Sequence, residues 1–294
     1  MKINRVLLVY KKSSYQRHAL DTKDQNFIRL LREKNIALWQ SKEVHNIHMA
    51  CLASIKKDLK KLKINCDLLL RYRLRPLLDY DLVITIGGDG TFLETSHHLK
   101  KNGLLMGINS TPRASVGYYC RTRTEEFLEK MELLLANKAK IQKLHRLEAH
   151  INEKPAGPLS LNDILFTNQN PADTCRYLLK IGGRHEEQKS SGVWFSPAPG
   201  STAATLSAGG KILPIGSTQF QYVVRELYRQ KGKVGSPSPF RLLKGVLSPK
   251  QQIQVISNMK HGALYFDGPH ASLRLKRGDE VTIRQALEPL QAIW

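Results

Sequence analysis

Asp81-Leu82-Val83-Ile84-Thr85-Ile86-Gly87-Gly88-Asp89-Gly90-Thr91 decides how this chain is read. Leu82, Val83, Ile84 and Ile86 carry one polar interruption, Thr85, which is the pattern of a strand covered on both faces rather than one with a wet side. Such strands end at ligand crevices. The run passes directly into three glycines around a single carboxylate. Glycine lets the backbone approach a ligand closely, so the N–H groups of this loop are available to phosphate oxygens while Asp89 stands beside a reacting centre. Thr91 is placed to cap a helix that starts near Phe92 and turns Phe92, Leu93 and Leu99 inward, with the positive end of its dipole at the loop. Together these features read as a phosphate-handling site.

Outward from this loop, short apolar runs alternate with helical spacing. Residues 5–10, 66–70, 82–86 and 104–109 read as strands, and 24–34, 47–62 and 124–137 as helices. That alternation predicts a Rossmann-like α/β domain with a parallel sheet over residues 1–120. The remainder, 121–294, is expected to form a β-rich domain, with the last residues packing back on the first. Its strands are predicted at 147–152, 159–167, 177–182, 193–196, 253–256, 263–266 and 281–284. One helix interrupts them, opened by Gly200-Ser201-Thr202 and closed near Gly209-Gly210. Two such domains predict a ligand crevice between them.

The 294 residues, 41% of them hydrophobic, are enough for real cores. A balance of 46 Lys+Arg against 25 Asp+Glu, net +21, favours anionic partners such as nucleotides or polyphosphate. The densest basic segment, residues 56–63, has its leucines at helical spacing and reads as a solvated helix face. No aromatic-interleaved basic platform, zinc-finger or basic-zipper pattern appears, so a nucleic-acid partner is not expected. Cys51, Cys66, Cys120 and Cys175 lie far apart with no C-x-x-C pair, and His97-His98 and His45-x-x-His48 complete no ligand set. Neither disulfides nor a structural metal is predicted. No apolar run approaches the length of a membrane span, so a cytoplasmic protein without a membrane partner is expected.

Two further stretches carry chemistry. Leu161-Asn162-Asp163-Ile164 sets an amide beside a carboxylate in an apolar strand, where one of the pair faces the core and needs a partner; the bland alternative is a bend between two strands. Ser196-Pro197-Ala198-Pro199-Gly200-Ser201-Thr202-Ala203-Ala204 stiffens its approach with two prolines and brings two hydroxyls to a helix start, a second anion or nucleotide contact or an ordinary cap. If the reaction is phosphoryl transfer, Asp89 is the group to accept a proton from, or orient, an attacking hydroxyl; a single acid among glycines makes a poor metal cage.

In this order and separation, Gly87-Gly88-Asp89-Gly90-Thr91, Gly107-Ile108-Asn109, Asn162-Asp163, the Pro199-Gly200-Ser201-Thr202 turn and Phe266-Asp267-Gly268 resemble the NAD kinase family. The resemblance implies an NAD kinase/diacylglycerol kinase-like fold and transfer of a terminal phosphoryl group from ATP or polyphosphate to the 2′-hydroxyl of the adenosine ribose of NAD. It also implies Mg²⁺ or another divalent cation and a homo-oligomer, dimer or tetramer. Carried over, Asp89 is the catalytic aspartate and Gly87, Gly88, Gly90 and Thr91 contact the phosphates of ATP. Asn109, Asn162, Asp163, Lys189, Ser191, Ser201, Thr202 and Ala203 match NAD-contacting positions.

The departures resemble the divergent branch that includes mitochondrial-type members. Ser110-Thr111-Pro112-Arg113-Ala114-Ser115-Val116 replaces a short glycine-containing run. Ser191 stands where a carboxylate is usual and, being neutral, has no charge to pair with a cation. Ala204 replaces an aromatic, removing a stacking surface. Two other readings stay open: a lipid kinase of the diacylglycerol or sphingosine type, which shares the glycine loop, and a dinucleotide sensor without turnover.

Overall fold

A computed structural model describes residues 3–36, 38–77, 79–99, 103–113, 115–228 and 240–294. The chain divides into two compact units, Met1–Gln142 with Leu290–Trp294, and Lys143–Pro289. The division falls after residue 142 rather than 120 because the helix Phe127–Leu135 buries Phe127, Met131 and Leu134 in the first unit's core.

The first unit runs β1 (Val6–Tyr10), α1 (Gln25–Arg32), α2 (Ser41–Lys61), β2 (Cys66–Leu70), β3 (Leu82–Gly87), α3 (Asp89–Ser96), β4 (Leu104–Asn109), α4 (Phe127–Leu135) and β5 (Ile141–Leu144). A π-helical turn, Gln16–Asp21, follows β1 and was not foreseen. α2 starts six residues before the predicted helix and turns Cys51, Leu52, Ile55 and Leu59 inward, leaving Lys56, Lys57, Lys60 and Lys61 in solvent. Both β3 and β4 are buried along their whole length, as expected for strands covered on two faces.

The second unit contains β6 (Leu147–Ile151), β7 (Lys154–Ser160), β8 (Ile164–Asn168), β9 (Cys175–Ile181), β10 (Arg184–Ser190), β11 (Gly192–Pro197), α5 (Ala204–Ser207), β12 (Phe220–Arg225), β13 (Lys244–Leu247), β14 (Gln252–Ser257), β15 (Gly262–Phe266), β16 (Ala271–Leu275) and β17 (Glu280–Gln285). They form two six-stranded sheets, β10-β9-β14-β17-β6-β7 and β13-β12-β11-β8-β15-β16, closing on one core with Phe166, Phe195, Phe220, Tyr177 and Val255. The single strand predicted at 159–167 is two, β7 and β8, broken at Leu161–Asp163. The helix predicted from Gly200 to Gly210 is a 3₁₀ turn, Pro199–Thr202, followed by the one-turn α5. β10 escaped notice because its sequence is nearly all polar. It is an edge strand whose inward positions are Gln188 and Ser190.

β18 (Leu290–Ile293) closes the chain and belongs to the first unit, where it lies parallel beside β4, Ala292 opposite Leu105. The first unit's sheet reads β2-β1-β3-β4-β18-β5. In its parallel register Tyr10 lies opposite both Leu70 and Ile86, and Gly87 opposite Asn109. Lys11, Arg71, Gly87 and Asn109 therefore share the crest formed by the carboxyl ends of the strands.

Candidate functional site

At that crest β3 ends in Gly87 and α3 begins at Asp89, with Gly88 in extended backbone as its N-cap. The predicted cap, Thr91, is not one: it lies in the first turn, 1% exposed, with its Oγ1 tucked beneath Gly87 and no hydrogen-bond partner among the described residues. Leu99, expected on this helix, falls beyond its end, where it bridges Leu77. The helix starts three residues early because Gly88 O already accepts from Thr91 N at 2.9 Å. The N–H groups of Asp89 and Gly90, ahead of that bond, have no intrahelical acceptor and make this end of the helix suited to an anion.

Asp89 reaches across the crest to the chain after β4. Its Oδ2 accepts from Tyr118 N at 2.8 Å, and its Oδ1 from Tyr119 N at 2.8 Å and Cys120 N at 3.4 Å. The single acid of the loop thus anchors a distant turn, and Oδ2, carrying one amide, keeps a lone pair. Asn109 is 7% exposed and its side chain is engaged locally, Nδ2 donating to Ser115 O and Oδ1 accepting from Thr111 N. It organises the run after β4. Within that run Ala114 lies outside the described residues, and Ser115 Oγ packs so close over Gly88 that a Cβ there would stand 2.4 Å away.

Sequence reasoning passed over the cations of this crest. Lys11 is half-buried and burial lowers its pKa, with Arg71 and Arg17 adding repulsion and the Cys120 thiol opposing. Arg71 Nε is held by Glu94 on α3. His48, of the His45-x-x-His48 spacing, is buried with its two ring nitrogens against Ser110 Oγ at 2.8 Å and Lys11 O at 2.9 Å, and burial lowers its pKa. His45 Nδ1 meets Ser13 Oγ at 2.9 Å.

In the second unit Asn162-Asp163 lies on the bend between β7 and β8, so for the backbone the simple bend is what the chain forms. That bend is held by Asp267, whose carboxylate accepts from Leu161 N at 3.0 Å, Asn162 N at 2.7 Å and Asp163 N at 3.1 Å. Asp267 N returns a bond to Asp163 O at 3.0 Å from a left-handed backbone, φ 51°. Asp163 is 6% exposed, and its pKa rises to about 7, first through burial and then through the negative charge of Asp267. Arg146, also buried, is brought down to about 10 by desolvation, with Asp267 working against that fall. Asn162 is half-buried. Gly200 closes the bend from above: a Cβ there would fall 1.8 Å from the Asn162 carbonyl oxygen.

Other expected contacts scatter. The Ser201 hydroxyl is buried and exchanges hydrogen bonds with Leu213 N at 2.9 Å and Leu213 O at 3.4 Å, so it braces the loop. Thr202 and Ala203 are half-buried, Ala203 being the N-cap of α5. Lys189 is exposed at the end of β10. Ser191 spends its backbone on Arg225 O and on the Thr167 hydroxyl. β11 runs antiparallel to β8 with Phe195 opposite Ile164, which puts Ser191 at the far end of β11 from Asn162-Asp163, roughly 20 Å along the strand. Within this unit the structure brings Asn162, Asp163 and the Gly200 turn together, and leaves Lys189 and Ser191 apart from them. Among the described residues no three His, Cys, Asp or Glu side chains gather as a metal cage, and all four cysteines are unbridged.

Comparison with known proteins gives this geometry a lineage. Residues 7–139 match the family described as the ATP-NAD kinase N-terminal domain. A curated relative from rice (Oryza sativa subsp. japonica), named a probable NADH kinase, is 32% identical over 239 residues, covering 74% of this chain and 72% of its own. The crystal structure of an Archaeoglobus fulgidus NAD kinase in complex with ATP superposes at TM-score 0.67 with 20% identity, over 99% of this chain and 93% of that one. Yeast NADH kinase complexed with NADH also matches at TM-score 0.67, with 16% identity over 100% and 84%. On these matches, the chain belongs to the NAD kinase family.

Proposed function

We propose that this chain transfers the terminal phosphoryl group of ATP, or of polyphosphate, to the 2′-hydroxyl of the adenosine ribose of NAD or NADH. The observation that carries the reading is Asp89 on a glycine loop at a helix N-terminus, beside the cationic crest. Phosphoryl transfer needs donor and acceptor aligned and the spreading negative charge stabilised, with little covalent work from the protein. The free lone pair on Asp89 Oδ2 accepts the hydrogen bond of the ribose hydroxyl and orients it for in-line attack, while the N–H groups around Gly88 and Gly90 meet charge developing on the phosphoryl oxygens. Asn162 and Asp163 hold the dinucleotide, with Asn109, Lys189, Ser191, Thr202 and Ala203 as further contacts by resemblance. With a pKa near 7, Asp163 both donates and accepts hydrogen bonds at neutral pH. The name of the rice relative, a probable NADH kinase, supports including the reduced dinucleotide beside NAD as acceptor.

The residues described here do not themselves form a divalent-cation cage, since Asp89 is engaged by amides and Glu94 by Arg71. When bound with the donor, such a cation neutralises phosphate charge. Family resemblance also supports a cytoplasmic homo-oligomer. Among the described residues no helix is long and apolar enough to cross a membrane.

The test is purified protein with ATP or polyphosphate, a divalent cation, and NAD or NADH, against an Asp89→Asn control. The wild type is expected to form the 2′-phosphorylated dinucleotide, with the control slower by about a thousandfold. No product above the control from any donor and acceptor pair overturns the reading.

A further inference from the structure

Lys11 and Arg71 converge on the glycine loop, Arg17 adds its positive charge to that of Lys11, and none of the three belongs to the motifs that carry the family resemblance. Lys11 directly follows β1, whose last residue Tyr10 is in register with Leu70 of β2 and Ile86 of β3, so Arg71 and Gly87 are its neighbours across the crest. Its Cδ is 3.6 Å from where a Cβ on Gly87 would stand, and Arg71 Nη1 is 3.7 Å from the same point on Gly90. Both side chains are therefore held against the glycines themselves. His48 Nε2 fixes the Lys11 backbone at its carbonyl oxygen, 2.9 Å away, and Glu94 on α3 holds the Arg71 side chain by its Nε, leaving Nη1 towards Gly90.

The charges are unbalanced in a telling way. Lys12, next in sequence, has its own counter-ion in Asp21 at 2.7 Å. The groups that act on Lys11 are instead two further cations and a thiol. A partly desolvated ammonium facing like charge costs free energy that an anion would recover. The adjoining first turn of α3 favours the same sign of ligand.

We propose that Lys11 and Arg71 grip the phosphate chain of the phosphoryl donor, a chemistry shared by a nucleoside triphosphate and inorganic polyphosphate. This rests on the reading of the chain as a phosphoryl-transfer enzyme. Lys11 meets the phosphates as a point charge, whereas Arg71, pinned by Glu94, offers a directed N–H.

Lys11→Met and Arg71→Gln, assayed with ATP and separately with polyphosphate at saturating dinucleotide, are each expected to raise the donor KM by about tenfold to a hundredfold. The dinucleotide KM stays within about twofold, and Arg71→Lys recovers part of the loss. Lys12→Met, whose cation already has Asp21, leaves donor and dinucleotide KM unchanged. A rise with both donors assigns the pair to the phosphate chain itself, and a rise with ATP alone to the nucleotide's phosphates. A donor KM within twofold of wild type, or an equal rise in dinucleotide KM, overturns the proposal. Calorimetric titration with inorganic tripolyphosphate, without acceptor, separates this proposal from the enzymatic reading. Saturable binding by wild type, weakened in Lys11→Met, supports the pair even if no acceptor turns over. Absent or unchanged binding overturns it even if catalysis is found.

Discussion

Asp89 in the first unit and Asp267 in the second do the same mechanical work: each carboxylate accepts three consecutive backbone amides from a remote turn. Asp89 takes those of Tyr118, Tyr119 and Cys120, and Asp267 those of Leu161, Asn162 and Asp163. Their company differs. Around Asp89 the crest supplies Lys11 and Arg71, and the tyrosine that binds Oδ2 is half-buried. Around Asp267 stand a buried arginine and a second buried carboxylate, Asp163, whose pKa the pair's like charge helps to raise. One device, placed in two fields, gives a positive cradle for polyanions in the first unit and a proton-sensitive, hydrogen-bonding turn in the second.

Truncating both anchors tests whether the environment really separates them. Asp267→Ala leaves three amides of a buried bend without an acceptor, and at about 1–3 kcal/mol for each orphaned group, partly recovered by water, is expected to cost about 4 kcal/mol in urea unfolding. Asp89→Ala is expected to cost about half as much, because one of its three bonds, from Cys120 N at 3.4 Å, is long and weak, and to appear chiefly in kcat. Equal losses of stability in the two variants would break the comparison.

The two anchors also differ in how much the chain shows of them. The strand, the glycines and Asp89 lie in eleven consecutive residues, so period and composition make that half of the site readable before any fold is known. Asp267 sits 106 residues from Leu161, and nothing local distinguishes a carboxylate that holds a bend from one that caps an ordinary turn. Lys11 is hidden for another reason: a lysine just after a strand is commonly a solvated edge, and only the parallel register puts it beside Gly87. Ser201 shows the converse error. A hydroxyl after proline and glycine reads as ligand-facing, yet Leu213 occupies it. The α/β half of the fold was likewise legible from buried apolar runs, while polar β10 and the broken strand at Leu161–Asp163 are fixed by tertiary pairing.

Gly200→Ala sharpens the second half of the comparison. The new methyl would meet the Asn162 backbone at 1.8 Å, and that backbone is already held by Asp267, so it has little freedom to yield. A loss of about 3 kcal/mol in stability is expected, with the dinucleotide KM raised about tenfold or more and the donor KM unchanged. A donor KM that moves equally would show that the turn does not serve the acceptor alone.

The smallest expected effect is the most diagnostic of the field around Asp267. An unfolded carboxyl titrates near its model value of 3.8, and folding carries Asp163 up to about 7. Between those values the folded state retains a proton that the unfolded chain has released, so stability declines as pH rises through the window and the full cost is reached above pH 7. At most one proton is involved, which sets the decline at about 2 kcal/mol from pH 5 to pH 7. Asp163→Asn keeps the shape of the protonated acid and has nothing to titrate, so its urea-unfolding stability, relative to wild type, is expected to improve by that amount across the window. Asp267→Asn in the otherwise wild-type chain removes the like charge that is the second cause of the shift. It is expected to move the Asp163 titration down and shift the decline to lower pH. Parallel pH profiles for wild type and Asp163→Asn would mean that Asp163 titrates normally, and that the contrast between a cationic crest and a proton-sensitive turn does not hold.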